Sequence, residues 1–248
     1  FAPRHRVSGR LYHPEMLARR VAPISGSPRI RVRMRPLCDY GARAPHTTSG
    51  SNHIRYLLSD TIQRLTCDVA PLLVERGLPF GLEQPAHFLF GPDETLEGNV
   101  SDFIHLALER TLDYWREWTR YLSIPFEWQE AVIRAAITLK LCQYEATGAI
   151  VAALTTSIPE SPGSGRTWDY RYCWLRDAAF TVRGLNRLGA TRSMEEYIRY
   201  AFNLVANRKQ AELGPVFGIT FAEELPERQV DTLSGYRGNG PVRVGNEA

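Results

Sequence analysis

Between Arg166 and Asp177 the chain packs Trp168, Tyr170, Tyr172 and Trp174 together with Arg166, Arg171 and Arg176 and with Asp169 and Asp177. Aromatic and charged residues fall on every face of this stretch, so neither helical nor strand periodicity accounts for it. One ligand class suits such a mixture. A pyranose presents an axial C–H face that packs on Trp or Tyr, and a ring of vicinal hydroxyls that Arg and Asp hold through charge-assisted hydrogen bonds. The same residues could equally make an aromatic mini-core pinned by ion pairs, and composition alone leaves both readings open.

Other chemistries fare worse. All six histidines precede residue 106 and none sits in a paired-ligand or H-E-x-x-H arrangement, so neither a metal site nor a histidine-based triad is expected. Gly163-Ser164-Gly165 lacks the Gly-Lys-Ser/Thr that completes a phosphate loop, and no strand leads into it. Cys38, Cys67, Cys142 and Cys173 form no C-x-x-C pair. Cys142 and Cys173 read as buried small hydrophobes, and no cofactor is called for.

The elements that must position the aromatic segment can be read on either side of it. The chain has 248 residues, 44% of them apolar and 23% charged, which is globular composition and excludes disordered, collagen-like and coiled-coil classes. Its longest apolar run, Gly148 to Leu154, is far short of the roughly 20 residues that span a bilayer. No membrane partner is expected. Residues 1–76 hold 13 Arg against 5 acids whereas the remainder is net acidic, a split that suggests two regions. Arg outnumbers Lys 28 to 2 throughout the chain, so the bias reads as a general preference rather than a phosphate-binding device, and no nucleic-acid partner is expected.

Arg29 to Arg35 alternates strictly, which places four arginines on one strand face and Ile30, Val32 and Met34 on the other. With the turn at Cys38 to Gly41, the stretch Ile54 to Leu58 and the segment His87 to Phe90, residues 29–92 read as antiparallel β, sandwich-like. From Ser101 the period becomes helical. One helix is expected to about Tyr121, carrying Phe103, Leu106, Leu112, Trp115 and Trp118, and a second from Trp128 to Tyr144 with Val132, Ala135, Ala136, Leu139 and Cys142 on one stripe. A third should start near Asp177 and stop at a glycine cap, Gly189. A fourth should open on the capping box Ser193 to Glu196, with Met194, Tyr197, Ile198, Ala201, Phe202 and Val205 along its apolar face. The second part is thus read as helix on helix.

Several of these segments carry a likeness. The runs Leu139 to Tyr144, Thr147 to Ala153, Thr155 to Glu160, Trp168 to Asp177 and Pro241 to Asn246 closely resemble glycoside hydrolase family 15, which includes glucoamylases, glucodextranases and bacterial trehalases. The resemblance implies an inverting glycosidase: a β-sandwich over residues 1–98, then the opening helices of an (α/α)6 barrel over 99–248, cut short at the C-terminal end. A start on Phe1 rather than Met makes a missing N-terminal segment the expectation as well. The resemblance also implies a glucoside substrate, trehalose, a maltooligosaccharide or a related glucan. The wide spacing of the four cysteines makes a reducing, cytoplasmic setting the expectation.

The family's pocket motif, aromatic-x-x-x-Trp-x-Arg-Asp, falls on Tyr170, Trp174, Arg176 and Asp177. By this likeness Arg176 and Asp177 hydrogen-bond the non-reducing glucose, while Tyr170 and Trp174 shape and stack its subsite. Inversion needs a carboxylic acid and a carboxylate roughly 6.5–9.5 Å apart. In the family both lie well after this motif, so they are expected beyond Ala248 and this chain alone should be inactive. Glu160 and Asp169 are the tempting substitutes, but Glu160 falls in the family's Ser-Ile-Pro-Glu loop, which does not supply the acid. A carbohydrate-binding or scaffold protein that keeps the pocket without the chemistry is the alternative.

Overall fold

The structure is a computed structural model and describes residues 1–206, 214–222 and 224–247. Backbone contacts divide the chain into two compact units, Phe1–Glu117 and Trp118–Ala248.

In the first unit a short hairpin of β1 (His5–Val7) and β2 (Arg10–Tyr12) precedes β3 (Leu17–Val21) and β4 (Arg29–Ile30). Then come β5 (His46–Ser49), β6 (His53–Leu57) and β7 (Ile62–Cys67), a short helix α1 (Pro71–Glu75), β8 (Phe80–Gly81) and β9 (Ala86–Pro92). Five strands form one antiparallel sheet in the order β3-β9-β7-β6-β5. Because side chains alternate across a pleat, register sorts them into two layers. Ile54, Tyr56, Leu65, Cys67 and Phe88 meet Val74 of α1 on one face. On the other, Ala18 and Leu89 meet Met16, Val100 and Ile104.

The expected antiparallel region is present, but the arginine ladder is not a long strand. Only Arg29 and Ile30 pair, with Gly81 and Phe80. The alternation nonetheless persists through the irregular stretch that follows: Arg29, Arg31, Arg33 and Arg35 are exposed, and Ile30, Val32 and Met34 rest on the first apolar layer. Residues 31–35 join no strand there, since burial of every second side chain needs no backbone ladder. The sheet also begins earlier than residue 29, because β3 carries Arg19 and Arg20 outward and shows little apolar periodicity of its own.

Helix α2 (Val100–Arg120) starts where Asn99 Oδ1 accepts the Asp102 N–H at 2.8 Å, a side-chain N-cap. Its buried stripe is Val100, Ile104, Ala107, Thr111 and Tyr114, at 4-3-4-3 spacing. The expected face is therefore rotated: Leu106 and Leu112 point to solvent. A helix with apolar residues on more than one side gives the period from sequence but not the orientation, which the sheet's small Ala18 selects.

The second unit holds α3 (Gln129–Leu141), β10 (Gln143–Tyr144), β11 (Ala149–Ile150), β12 (Thr156–Pro159), β13 (Thr167–Asp169) and β14 (Cys173–Trp174). Then follow α4 (Leu175–Arg187), α5 (Thr191–Ala206), β15 (Val216–Phe217), β16 (Arg228–Gln229) and β17 (Arg243–Val244). Beside the expected helices, the described residues of this unit hold eight short strands, paired two by two, that the sequence reading did not name; pieces of two to four residues have too little length to show a period.

Helix α4 ends as read: Gly189, at φ +80°, donates to Asn186 O at 2.9 Å while Ala190 N–H reaches Leu185 O at 3.0 Å, closing both bonds of a Schellman cap. Helix α5 begins two residues before the expected capping box, and Ser193 lies buried inside it, its carbonyl accepting from Gln143 Nε2 at 3.2 Å. Its inner face is Ser193, Tyr200 and Leu204, so Ile198, Phe202 and Val205 are exposed. On α3 the expected stripe is half right. Ala136 is buried and Ala135 is not, and the other buried residue is a charge, Lys140, held 2.8 Å from Glu145 Oε1 and 2.8 Å from Gln143 Oε1. No described helix is long and apolar enough to cross a membrane.

Candidate sugar-binding site

Strand β14 pairs with β15, Cys173 with Phe217 and Trp174 with Val216. Alternation turns Cys173 into a core with Ala178, Tyr200 and Phe217, and leaves Trp174 facing the opposite way. Trp174 is also the extended N-cap residue of α4, at φ −87° and ψ 126°, so the chain passes straight from strand to helix. Arg176 and Asp177 consequently fall in the first helical turn, where the positive end of the helix dipole favours the Asp177 carboxylate. Their side chains touch, Nη2 to Oδ2 at 3.3 Å. Tyr170 is hung by its backbone on Thr155 O and Ala153 N–H, which brings its ring centroid within 5.8 Å of that of Trp174.

These four residues, Tyr170, Trp174, Arg176 and Asp177, line one cavity of about 480 Å3. That size lies within the range of small-molecule sites. Two aromatic rings and one cation–anion pair are set around a common space, the combination that a polyhydroxylated ring requires. Burial, followed by the fields of Glu160 and Asp177, pushes the Tyr170 hydroxyl above its ordinary range, so it enters as a neutral phenol that can donate a hydrogen bond.

The two tempting carboxylates separate. Glu160 reaches the cavity wall, but both its oxygens are engaged: Oε1 accepts from Trp168 Nε1 at 3.0 Å and Oε2 pairs with Arg166 Nε at 2.6 Å. Asp169 is 1% exposed and lies outside the lining. Its oxygens accept from Arg171 Nε at 2.9 Å and Nη2 at 2.8 Å, and from the Gly245 N–H at 3.2 Å. It is a structural clamp.

Ala152 and Trp168 complete the lining with three polar residues, Glu227, Asn246 and Glu247, that escape the sequence reading as site residues. Asn246 at least falls in the quoted run Pro241 to Asn246, whereas Glu227 has no local signal. Gly245 explains how the last two arrive there. At φ +91° its Cα lies against the Pro226 carbonyl, where a Cβ would collide, so the turn into the cavity admits only glycine. Among the described residues no cluster of three or more His, Cys, Asp or Glu could hold a metal ion.

Comparison with known proteins gives the likeness its extent. The sequence model of glycosyl hydrolases family 15 matches residues 128–248, which bears out the resemblance read from the motifs. A trehalase of Thermoplasma acidophilum is 36% identical over 144 residues, 58% of this chain and 24% of that protein. A trehalase of Mycobacterium tuberculosis is 37% identical over 142 residues, covering 56% of this chain and 21% of that protein. Trehalase 1 of Sulfolobus acidocaldarius is 29% identical over 219 residues, 86% of the chain and 38% of the relative. The matched stretch thus spans about a quarter of the first two relatives. No solved structure gives a significant match.

Proposed function

We propose that the chain, whose residues 128–248 match the sequence model of glycosyl hydrolases family 15, is part of an inverting glycoside hydrolase that acts on an α-glucosidic bond at a non-reducing end, with trehalose the leading substrate. One observation carries the reading: the four motif residues, spread over β14, the start of α4 and the segment before them, converge on a single cavity. The relatives' name, trehalase, favours trehalose over starch, maltooligosaccharides and dextran.

In this reading residues 1–98 are the β-sandwich that precedes the barrel, and residues 99–248 supply the first helices of an (α/α)6 barrel. Arg176 and Asp177 take hydroxyls of the terminal glucose, and Tyr170 and Trp174 pack on its C–H face. Holding a ground-state sugar does not lower the barrier by itself. The acid and the water-activating base lie outside residues 1–248, a placement supported by the arginines paired with Glu160, Asp177 and Glu227, three of the four carboxylates that line the cavity. Residues 1–248 therefore bind the sugar and turn nothing over, because proton transfers worth about 10² to 10⁴-fold each are missing.

The test is saturation-transfer NMR of this chain with trehalose and glucose, beside glucose release from trehalose, maltose and starch by the chain and by the complete protein. Sugar binding by the chain, with turnover by the complete protein alone, is the expected outcome. Turnover by the chain at the complete protein's rate would place the chemistry on Glu160 or another carboxylate present here.

A further inference from the structure

Glu227, which lines the cavity that holds Arg176 and Asp177, is also paired with an arginine, Arg243, set behind the wall. Glu227 Oε1 accepts from Arg243 Nη1 at 2.7 Å, and the two side chains are 22% and 23% exposed, against 78% for Arg176. Arg243 is fastened from behind. Its guanidinium lies 5.6 Å from the centroid of the Trp168 ring. Its backbone N–H donates to Ser157 Oγ at 2.7 Å, and its carbonyl accepts from the hydroxyls of Thr156 and Ser157. Glu227 is held in turn, since its backbone N–H donates to Glu247 Oε1 at 3.3 Å.

The fold does not need this pair for its topology. Strand β16, which Glu227 immediately precedes, and β17, which contains Arg243, are already joined by backbone pairing of Arg228 with Val244 and Gln229 with Arg243. Glu227 Oε2 accepts no hydrogen bond among the described residues. A carboxylate with one oxygen anchored and the other unengaged, at a cavity wall, is a ready acceptor for a ligand hydroxyl. The cavity thus offers two arginine-held carboxylates, Asp177 and Glu227, and a disaccharide brings two rings of hydroxyls.

Resting on the reading of this cavity as an α-glucoside site, we infer that Glu227, oriented by Arg243, binds hydroxyls of the second sugar ring, the one released on cleavage, and so selects a sugar over an apolar leaving group. Trp168 serves both walls, with its indole N–H on Glu160 and its ring under Arg243.

Dissociation constants of the full chain for trehalose, glucose and phenyl α-glucoside, measured for wild type, Glu227→Gln and Arg243→Gln, test the assignment. Both variants should raise the trehalose constant about tenfold relative to those for glucose and phenyl α-glucoside, as loss of a charge-assisted bond to one ring requires. Glu227→Asp, which keeps the charge, should recover part of the selectivity. Equal weakening of all three ligands, or of none, overturns the assignment to the second ring while leaving the cavity's reading intact. Wild-type protein that binds none of the three overturns the cavity's reading, and this inference with it.

Discussion

Asp169 and Gly245 stand 76 residues apart in the chain and meet at 3.2 Å, the buried carboxylate Oδ2 accepting the glycine N–H. The same oxygen takes Arg171 Nη2 at 2.8 Å, so one side chain ties β13 to the turn that carries Asn246 and Glu247 into the cavity. Asp169→Ala removes acceptors from a buried backbone N–H and a guanidinium, which should cost about 2–3 kcal/mol of unfolding free energy. Urea denaturation reads this directly. A midpoint equal to wild type would mean that the clamp contributes nothing.

Asp177→Asn and Arg176→Ala should each weaken binding of glucose and trehalose by roughly tenfold or more, since a hydroxyl then loses a charged partner worth about 1.5–3 kcal/mol. In the complete enzyme the loss should appear in kcat/KM. Near-wild-type kcat/KM for either variant on its best substrate would remove that residue from the site.

Arg31 and Arg33 are exposed although they flank apolar residues that rest on the core. The double substitution to Gln should shift stability by less than about 0.5 kcal/mol and leave sugar binding unchanged, because exposed charges count for little. Loss of sugar affinity in a folded double variant would bring the β unit into the site.

Lys140 is 5% exposed, paired with Glu145 and placed 3.8 Å from Glu196 Oε2. Lys140→Met keeps most of the volume but takes a cation from two largely buried carboxylates, Glu145 and Glu196. Breaking such a cluster from one side should cost about 3 kcal/mol, read as a fall in thermal midpoint. Unchanged stability would show that Arg192, which also reaches Glu196 at 2.8 Å, suffices alone.

Burial pushes the Cys67 thiol up to about 11 from a usual 9.0. Folding then favours the protonated thiol. The stability it contributes is complete below pH 9, where both states are protonated, and is lost as the unfolded chain ionises between about pH 9 and 11, by on the order of 2–3 kcal/mol. Cys67→Ala should flatten this alkaline limb in urea titrations at pH 8, 9.5 and 10.5. A limb equally steep in the variant would assign it to the buried tyrosines, Tyr56, which burial raises to about 12, and Tyr197 and Tyr200, which burial also raises; these should act later.

What the sequence determined by itself was local. The 3.6-residue period gave four helices to within a few residues, Gly189 gave the end of α4, and strict alternation gave the outward arginines and inward apolar residues of 29–35. The motif from Tyr170 to Asp177 named four side chains of the candidate site, since they lie within one stretch of chain and their kinds alone suggest a sugar. Tertiary packing decided which face each amphipathic helix buries, because α2 and α5 carry apolar residues on two sides and only their neighbours choose between them. It decided that residues 31–35 join no strand. It also decided that Asp169 is a buried clamp and Glu227 a wall of the cavity, although both are ordinary acids in the sequence. Those roles rest on Gly245 and Arg243, 76 and 16 residues away in sequence. Contacts at such separations arise only once the strands have paired, and no local pattern records them.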